Sequence, residues 1–442
     1  MEIMKSACSA ALAGVLSLAV TPVMAGDLAD TIHKAIEHNP DVLVTQDDRR
    51  AIEQNVREAK AGYLPRVDVY AGIGGEKSDN TSTLAATGEQ GYRGLHREES
   101  GITITQMLFD GFFTKNEVAR QKATLQAASY RVLAAAEDVG LRATQTYLDV
   151  LRRQEQVELA KDNLAAHQRV YDQIRMRSER GVGRTADTDQ AAGRLALAQA
   201  NLEAQQGNLR DAQIAYLRVV GEMPQDLDMP ALPVDVMPGD LQALVDEARQ
   251  THPTLASAVA DIDATMAQHE QARANDFPRF DLELGATHNS NIDGVRGADE
   301  DLIAMVRMNY NIYRGGADLA RKRSTAHRIT EAKNIRDRAE DQVIEEASLS
   351  WNDFLTARTR LDLLRRHADA ANATRTAYQK QFDIGQRTLL DLLDTENERF
   401  QSEINYIDGK YRLMYAYYRI AASKGQLLGS LGVMSPDGGP QN

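Results

Sequence analysis

The 442-residue chain is 43% hydrophobic but only 5% aromatic, and 64 acidic side chains against 51 basic ones give a formal net charge of −13. That length allows two or three ordinary domains, and an acidic balance with no basic block argues against nucleic acid as a partner. The single cysteine, Cys8, lies in an N-terminal apolar run, so a processed chain has neither disulfides nor thiol chemistry.

Lys5, the apolar run from Ala7 to Val20, Thr21-Pro22 and the small-residue ending Val23-Met24-Ala25 read as a secretory signal over 1–25, cleaved after Ala25. Cys8 sits inside the run rather than at its end, so it is not a lipid-attachment site. No later window has the roughly 18 consecutive apolar residues of a spanning helix. A bilayer crossing by this chain is therefore made of strands.

From residue 26 to 220 the expected order is helix, helix, strand, strand, long helix, long helix. Pro65 ends the second helix, because proline lacks a donor and biases its predecessor toward extended backbone. Val67, Val69, Ala71 and Ile73 then alternate with Asp68, Tyr70 and Gly72. The returning strand alternates through Ile102, Ile104 and Leu108, which gives a strand pair over about 66–109. A helical hairpin over about 112–220 follows. Its first arm runs without proline from Gly111 to Gly181, roughly 100 Å of helix at 1.5 Å per residue. Val150, Val157, Leu164 and Tyr171 recur every seventh position, with Ala160, His167 and Ile174 between them. The four prolines of "GEMPQDLDMPALPVDVMPG", 221–239, mark a linker passing outside the helices.

The plan then repeats over 240–431. Pro40 and Pro253, Pro65 and Pro278, and Gly72 and Gly285 all keep one offset of 213 residues, an internal duplication. A strand pair over about 279–313 uses Phe280, Leu282, Leu284 and Ala286 outward, and Leu302, Ala304, Val306, Met308, Tyr310 and Ile312 on the return. In the hairpin of about 316–428, the second arm carries a coiled-coil seam spaced by threes and fours: Leu390, Leu393, Asn397, Phe400, Ile404, Ile407, Tyr411, Met414 and Tyr418. Tyr406, Tyr411, Tyr415, Tyr417 and Tyr418 read as a packing face rather than a membrane-interface belt. Gly183 and Gly385 mark the tight turns at the hairpin tips, since each precedes an aspartate, Asp189 and Asp391, by the same interval. Residues 432–442 are expected to be a disordered tail.

The fold class is thus mainly α with a small β part. Four strands with one apolar face cannot close a barrel, and an open sheet edge is not tolerated in lipid, so closure needs several copies. No catalytic or cofactor motif survives inspection. "GVGRTA" at Gly181 joins helix to helix rather than strand to helix, unlike a dinucleotide loop. "HKAIEH" at His33 has one residue too many for a zinc-peptidase pattern and puts His33 and Glu37 on an exposed helical face. Neither an enzyme nor a cofactor or metal site is expected.

"AGYLPRVDV", "LFDG", "YRGG" and "FDIGQRTLLDLLDTENE" together resemble the signatures of the TolC-type outer-membrane channel family. The resemblance implies a homotrimer in the Gram-negative outer membrane, with a twelve-stranded β-barrel in lipid and a long antiparallel α-helical coiled-coil barrel in the periplasm. It also implies a passive exit duct serving an inner-membrane ABC-type or proton-driven transporter through a periplasmic adaptor protein. The segment "FDIGQRTLLDLLDTENE" leans toward type I protein secretion, with small-molecule efflux as the alternative. From another class, a periplasmic coiled-coil adaptor or scaffold would share the long hairpins, but not a strand pair in each half.

By position, Asp391 and Asp394 match the family's aperture ring. Each follows a seam position, Leu390 or Leu393, and so they share a face about 100° off the seam. Six carboxylates would attract cations, and mutual repulsion would raise some of their pKa values. Thr388 and Asp391 also have capping-box spacing, a purely structural role. The resemblance further implies closed-state tip contacts in which Arg387 bonds Thr188 or Asp189, while Phe382 stands where the family has a tyrosine.

Overall fold

The computed structural model describes residues 27–436 and Gly439. The expected signal lies outside the described residues, as does most of the expected tail beyond Pro436. The first half contains α1 (Leu28–His38), α2 (Pro40–Ala61), β1 (Arg66–Ser78), α3 (Thr81–Thr87), β2 (Arg93–Phe109), α4 (Phe113–Glu179) and α5 (Thr185–Val220). The second contains α6 (Leu241–Thr251), α7 (Pro253–Ala272), β3 (Arg279–Ser290), β4 (Ala298–Asn309), α8 (Ala317–Asp383) and α9 (Leu389–Ser423), and the short α10 (Leu427–Ser430) follows. Both α2 and α7 open on proline, at a position where a missing N–H breaks no helical bond.

The strands form one antiparallel sheet in the order β1-β2-β3-β4. Their register lines up Val69, Ile102, Ala286 and Leu302 in one row across all four strands, and Val67, Ile104, Leu284 and Ala304 in the next. The opposite face is mainly polar, with Ile303 and Met305 as exceptions on β4: Arg307 bonds Glu283 at 2.8 Å, and the Tyr70 ring lies over Gly101, where a Cβ would come within 2.8 Å of it. On the edge strands, Val69 is 76% exposed and Leu302 89%. The outer edges of β1 and β4 have no partner in the sheet, and each unpaired amide costs several kcal/mol in lipid. One protomer therefore carries an unfinished sheet.

Two details depart from expectation. The β1–β2 connection contains α3, started by a capping box between Asn80 and Thr83. β4 ends at Asn309, so Tyr310 and Ile312 are not in the strand. That strand has a neighbour on one side only, and Gly315 and Gly316, both left-handed, already turn the chain toward α8.

The strand-to-helix turn is fixed by "LFDGF". Gly111 is left-handed with φ 68° and lies so close to Ala274 that a Cβ would sit 2.3 Å from its carbonyl oxygen. Asp110 accepts from the Thr114 N–H at 2.8 Å and its hydroxyl at 2.5 Å, which satisfies donors in the first turn of α4. Phe109, Phe112 and Phe277 close the joint edge to face, with centroids 5.3–6.3 Å apart.

From there α4 and α8 each run 67 residues, roughly 100 Å. The main core lies partway along them, where Ile32, Tyr147, Tyr216, Tyr418 and Leu427 meet. Residues 221–239 cross this level as a strap tied by side chains. Tyr147 donates to the Asp228 carbonyl at 2.6 Å, Tyr418 to that of Ala231 at 2.7 Å, and Lys424 to that of Val236 at 2.6 Å. Tyr411 and Tyr418 are buried, so the tyrosine group is a packing face. Glu137, also buried, accepts the N–H groups of Leu427 and Leu428, and burial pushes its carboxyl up to about 7.

Candidate functional site at the helical tips

Both hairpins turn at the end remote from the sheet. The second turn ends α8 at Asp383, passes through left-handed Gly385 and starts α9 at Leu389. The first ends α4 at Glu179 and starts α5 at Thr185, and its left-handed residue is Gly181 rather than Gly183. The matched pairs are therefore Gly181 with Gly385 and Asp187 with Asp391, two residues away from the alignment read from the sequence. Gly183 has a different duty, since a Cβ there would lie 2.9 Å from the Ser178 nitrogen.

At the second tip Thr388 is the N-cap of α9. Its hydroxyl accepts the Asp391 N–H at 3.2 Å, and Asp391 accepts from the Thr388 N–H at 3.2 Å and its hydroxyl at 2.9 Å. This is the capping box. The Thr388 hydroxyl, then its N–H, then the nearby Arg387 hold the Asp391 carboxyl below the usual range, the opposite direction from that expected of a repelling ring. Asp394, one turn on, is bonded by Arg194 of α5 at 2.6 Å. Within one protomer both aspartates thus face arginine.

Arg387 does not reach Thr188 or Asp189 within the protomer. Its guanidinium lies over the Tyr378 ring at 4.1 Å, donates to Gln381 at 2.9 Å and approaches Asp391 at 3.9 Å. The Thr188 hydroxyl is buried without a hydrogen-bond partner in the protomer. Phe382 is buried in an apolar cluster with Val170, Ile174, Ala191, Leu389, Leu392 and Leu393, so the residue lacking a hydroxyl instead joins the two hairpins by packing.

The expected seam shifts here as well. Leu390 is 46% exposed and Asn397 is exposed, whereas Leu389, Leu392, Leu393 and Glu396 are buried. Near its tip α9 packs on α4, α5 and α8 together, and three neighbours need a wider stripe than a two-helix seam. The fully buried Glu396 is held by Arg375 of α8 and by Arg399. Arg194, Tyr378 and this buried group were missed in the sequence. Arg194 meets Asp394, Tyr378 meets Arg387 and Arg375 meets Glu396 across turns or between helices, where spacing rules do not apply.

An unfinished sheet with one apolar face, continued by helices of about 100 Å whose tips carry carboxylates, defines the wall segment of a membrane channel. The outer membrane efflux protein family model matches residues 31–222 and 244–426, the two halves of the duplication, and the chain belongs to that family. It is an outer-membrane channel protein with a large periplasmic helical part, and not an enzyme. Two separate strand pairs and this membership set aside the adaptor alternative.

Over 401 residues it is 25% identical to outer membrane efflux protein BepC of Brucella suis biovar 1, covering 90% of this chain and 85% of BepC. Over 412 residues it is 24% identical to the alkaline protease secretion protein AprF of Pseudomonas aeruginosa, covering 90% and 84%. In fold it resembles a crystal structure of a membrane protein from Pseudomonas aeruginosa, with a TM-score of 0.77 over 90% of each chain at 20% identity.

Proposed function

We propose that three copies join β4 to β1 around a ring, closing a twelve-stranded barrel in the outer membrane above a twelve-helix tunnel. The observation that carries this reading is the sheet itself: two bare edges and one apolar face spanning four strands. Three such sheets exceed the roughly eight strands that a spanning barrel requires. The assembly is a passive exit duct, reached by an inner-membrane ABC-type or proton-driven transporter through a periplasmic adaptor. Its cargo is secreted protein, on the type I route. The segment "FDIGQRTLLDLLDTENE" and the relative named for alkaline protease secretion support this choice, while the relative named for efflux supports the small-molecule alternative.

Asp391 and Asp394 ring the periplasmic aperture. In the closed duct the link between Arg387 and Thr188 or Asp189 forms between neighbouring copies, which supplies a partner for the otherwise unpaired Thr188 hydroxyl. In planar bilayers the wild type selects cations, and replacing both aspartates with alanine shifts the reversal potential toward zero. An unchanged reversal potential removes the ring from the account. For cargo, the test is rescue of protease secretion, against rescue of drug resistance, in a host lacking its own duct.

A further inference from the structure

A second chemistry sits midway along the helical wall, far from the tips, in a cleft of about 710 Å³. There α5 packs on α4, α4 on α9, and α9 on α8. Yet Arg218 of α5, Arg142 and Arg152 of α4, Arg412 of α9 and Arg360 of α8 all line the one cleft. Helices at opposite ends of a row share a cavity only on its concave side. A second observation agrees. Tyr147 faces the strap, and at 100° per residue Arg142, Gln145, Asp149 and Arg152 lie within about 40° of the point opposite it on α4. The strap covers one side of the wall and the cleft opens on the other. In the duct proposed above that side is the lumen; the cleft's place in a tunnel rests on that reading, but its chemistry does not.

The charges in the cleft do not balance. Its acidic groups, Asp149 and Asp408, both pair with Arg152, Asp408 at 3.0 Å. Arg142 is occupied by Asp41 at 2.6 Å and Asp138 at 3.1 Å. Arg218, Arg360 and Arg412 have no ion pair or side-chain hydrogen bond among the described residues. The same lining mixes polar groups, Gln145, Thr146 and Asn405, with apolar surface from Leu148, Leu364 and the rings of Tyr411 and Tyr415.

We infer that this cleft is a binding site for small amphiphilic anions. The guanidiniums of Arg218, Arg360 and Arg412 take a sulfonate, sulfate or carboxylate group, for which a planar fork of donors is well matched, and the apolar body rests on the leucines and tyrosine rings. The wall thus presents positive charge at mid-height and carboxylates at the tips.

Calorimetric titration of the intact protein in an uncharged detergent tests this, with naphthalene disulfonate as probe and a neutral naphthalenediol as control. The expected result is one disulfonate per chain, bound at least tenfold more tightly than the diol and more weakly as salt is raised. Replacing Arg218, Arg360 and Arg412 together with glutamine weakens it at least tenfold, with circular dichroism unchanged, and Arg218→Gln alone weakens it severalfold. Equal affinity for the diol, unchanged binding by the folded triple variant, or no binding by the folded wild type overturns the assignment. Conduction without disulfonate binding defeats the cleft alone, whereas binding by a protein that never conducts defeats the duct and leaves the cleft standing.

Discussion

At the second tip, Thr388 and Asp391 exchange three hydrogen bonds over the first turn of α9. At the first, Arg184 holds the N-cap of α5 and offers no side-chain acceptor, although Asp187 occupies the same position as Asp391. The backbone of the turn is duplicated, then, while the chemistry that fixes it is present once. The second tip is preorganised and places its carboxylate; the first leans on the shared apolar cluster around Phe382 and on the Arg194–Asp394 bond. The first turn of α9 is therefore expected to open less readily than the first turn of α5.

Removing what the two tips share is expected to have the largest effect. Phe382→Ala deletes a buried ring from the cluster that joins the hairpins, at a cost of about 3 kcal/mol by analogy with other core truncations. Amide exchange and limited proteolysis at both tips rise together; protection that survives would mean the cluster is not what joins them.

A reciprocal pair of caps sharpens the contrast. Thr388→Ala costs about 1 kcal/mol, the usual loss for a threonine N-cap, and speeds exchange in the first turn of α9 alone. Arg184→Thr places a capping hydroxyl three residues before Asp187 and slows exchange in the first turn of α5. If both variants leave exchange rates as they were, the asymmetry of the tips has another origin.

Acid should also separate the tips. Because the folded protein holds the Asp391 carboxyl below its ordinary value, the cap's contribution is complete above that ordinary value and is lost as pH falls through the depressed one. Protection of the amides in the first turn of α9, taken relative to their intrinsic exchange rates, therefore falls in acid more than in the first turn of α5, and an equal fall would contradict the assignment. The smallest effect on stability belongs to Arg194→Ala, below about 1 kcal/mol for a partly exposed pair. Its readout is electrical: if Asp394 belongs to the proposed ring, freeing it is expected to increase cation selectivity, and an unchanged reversal potential would count against that place for it.

How much of this was legible in the sequence follows from the range of each interaction. Alternating residues such as Val67 to Ile73, the prolines at 65 and 278 and the proline-free arms between glycines are local signals, and they gave the elements and the duplication. The capping box was equally readable, since its two partners stand only three positions apart. The tip alignment failed because two glycines, Gly181 and Gly183, compete in one turn, and only the backbone shows which is left-handed. Arg387 was assigned to Thr188 or Asp189 by resemblance, yet within the protomer it stacks on Tyr378, a contact across a turn with no fixed spacing. The cleft was invisible, because its arginines come from four helices that meet only in the folded wall.

The central claim is that a single chain is one third of a wall. Native mass measurement of the protein extracted in mild detergent tests it most directly. The account predicts a particle of three chains that loses solubility when detergent is removed; a folded, monodisperse single chain that stays in detergent-free buffer would contradict it.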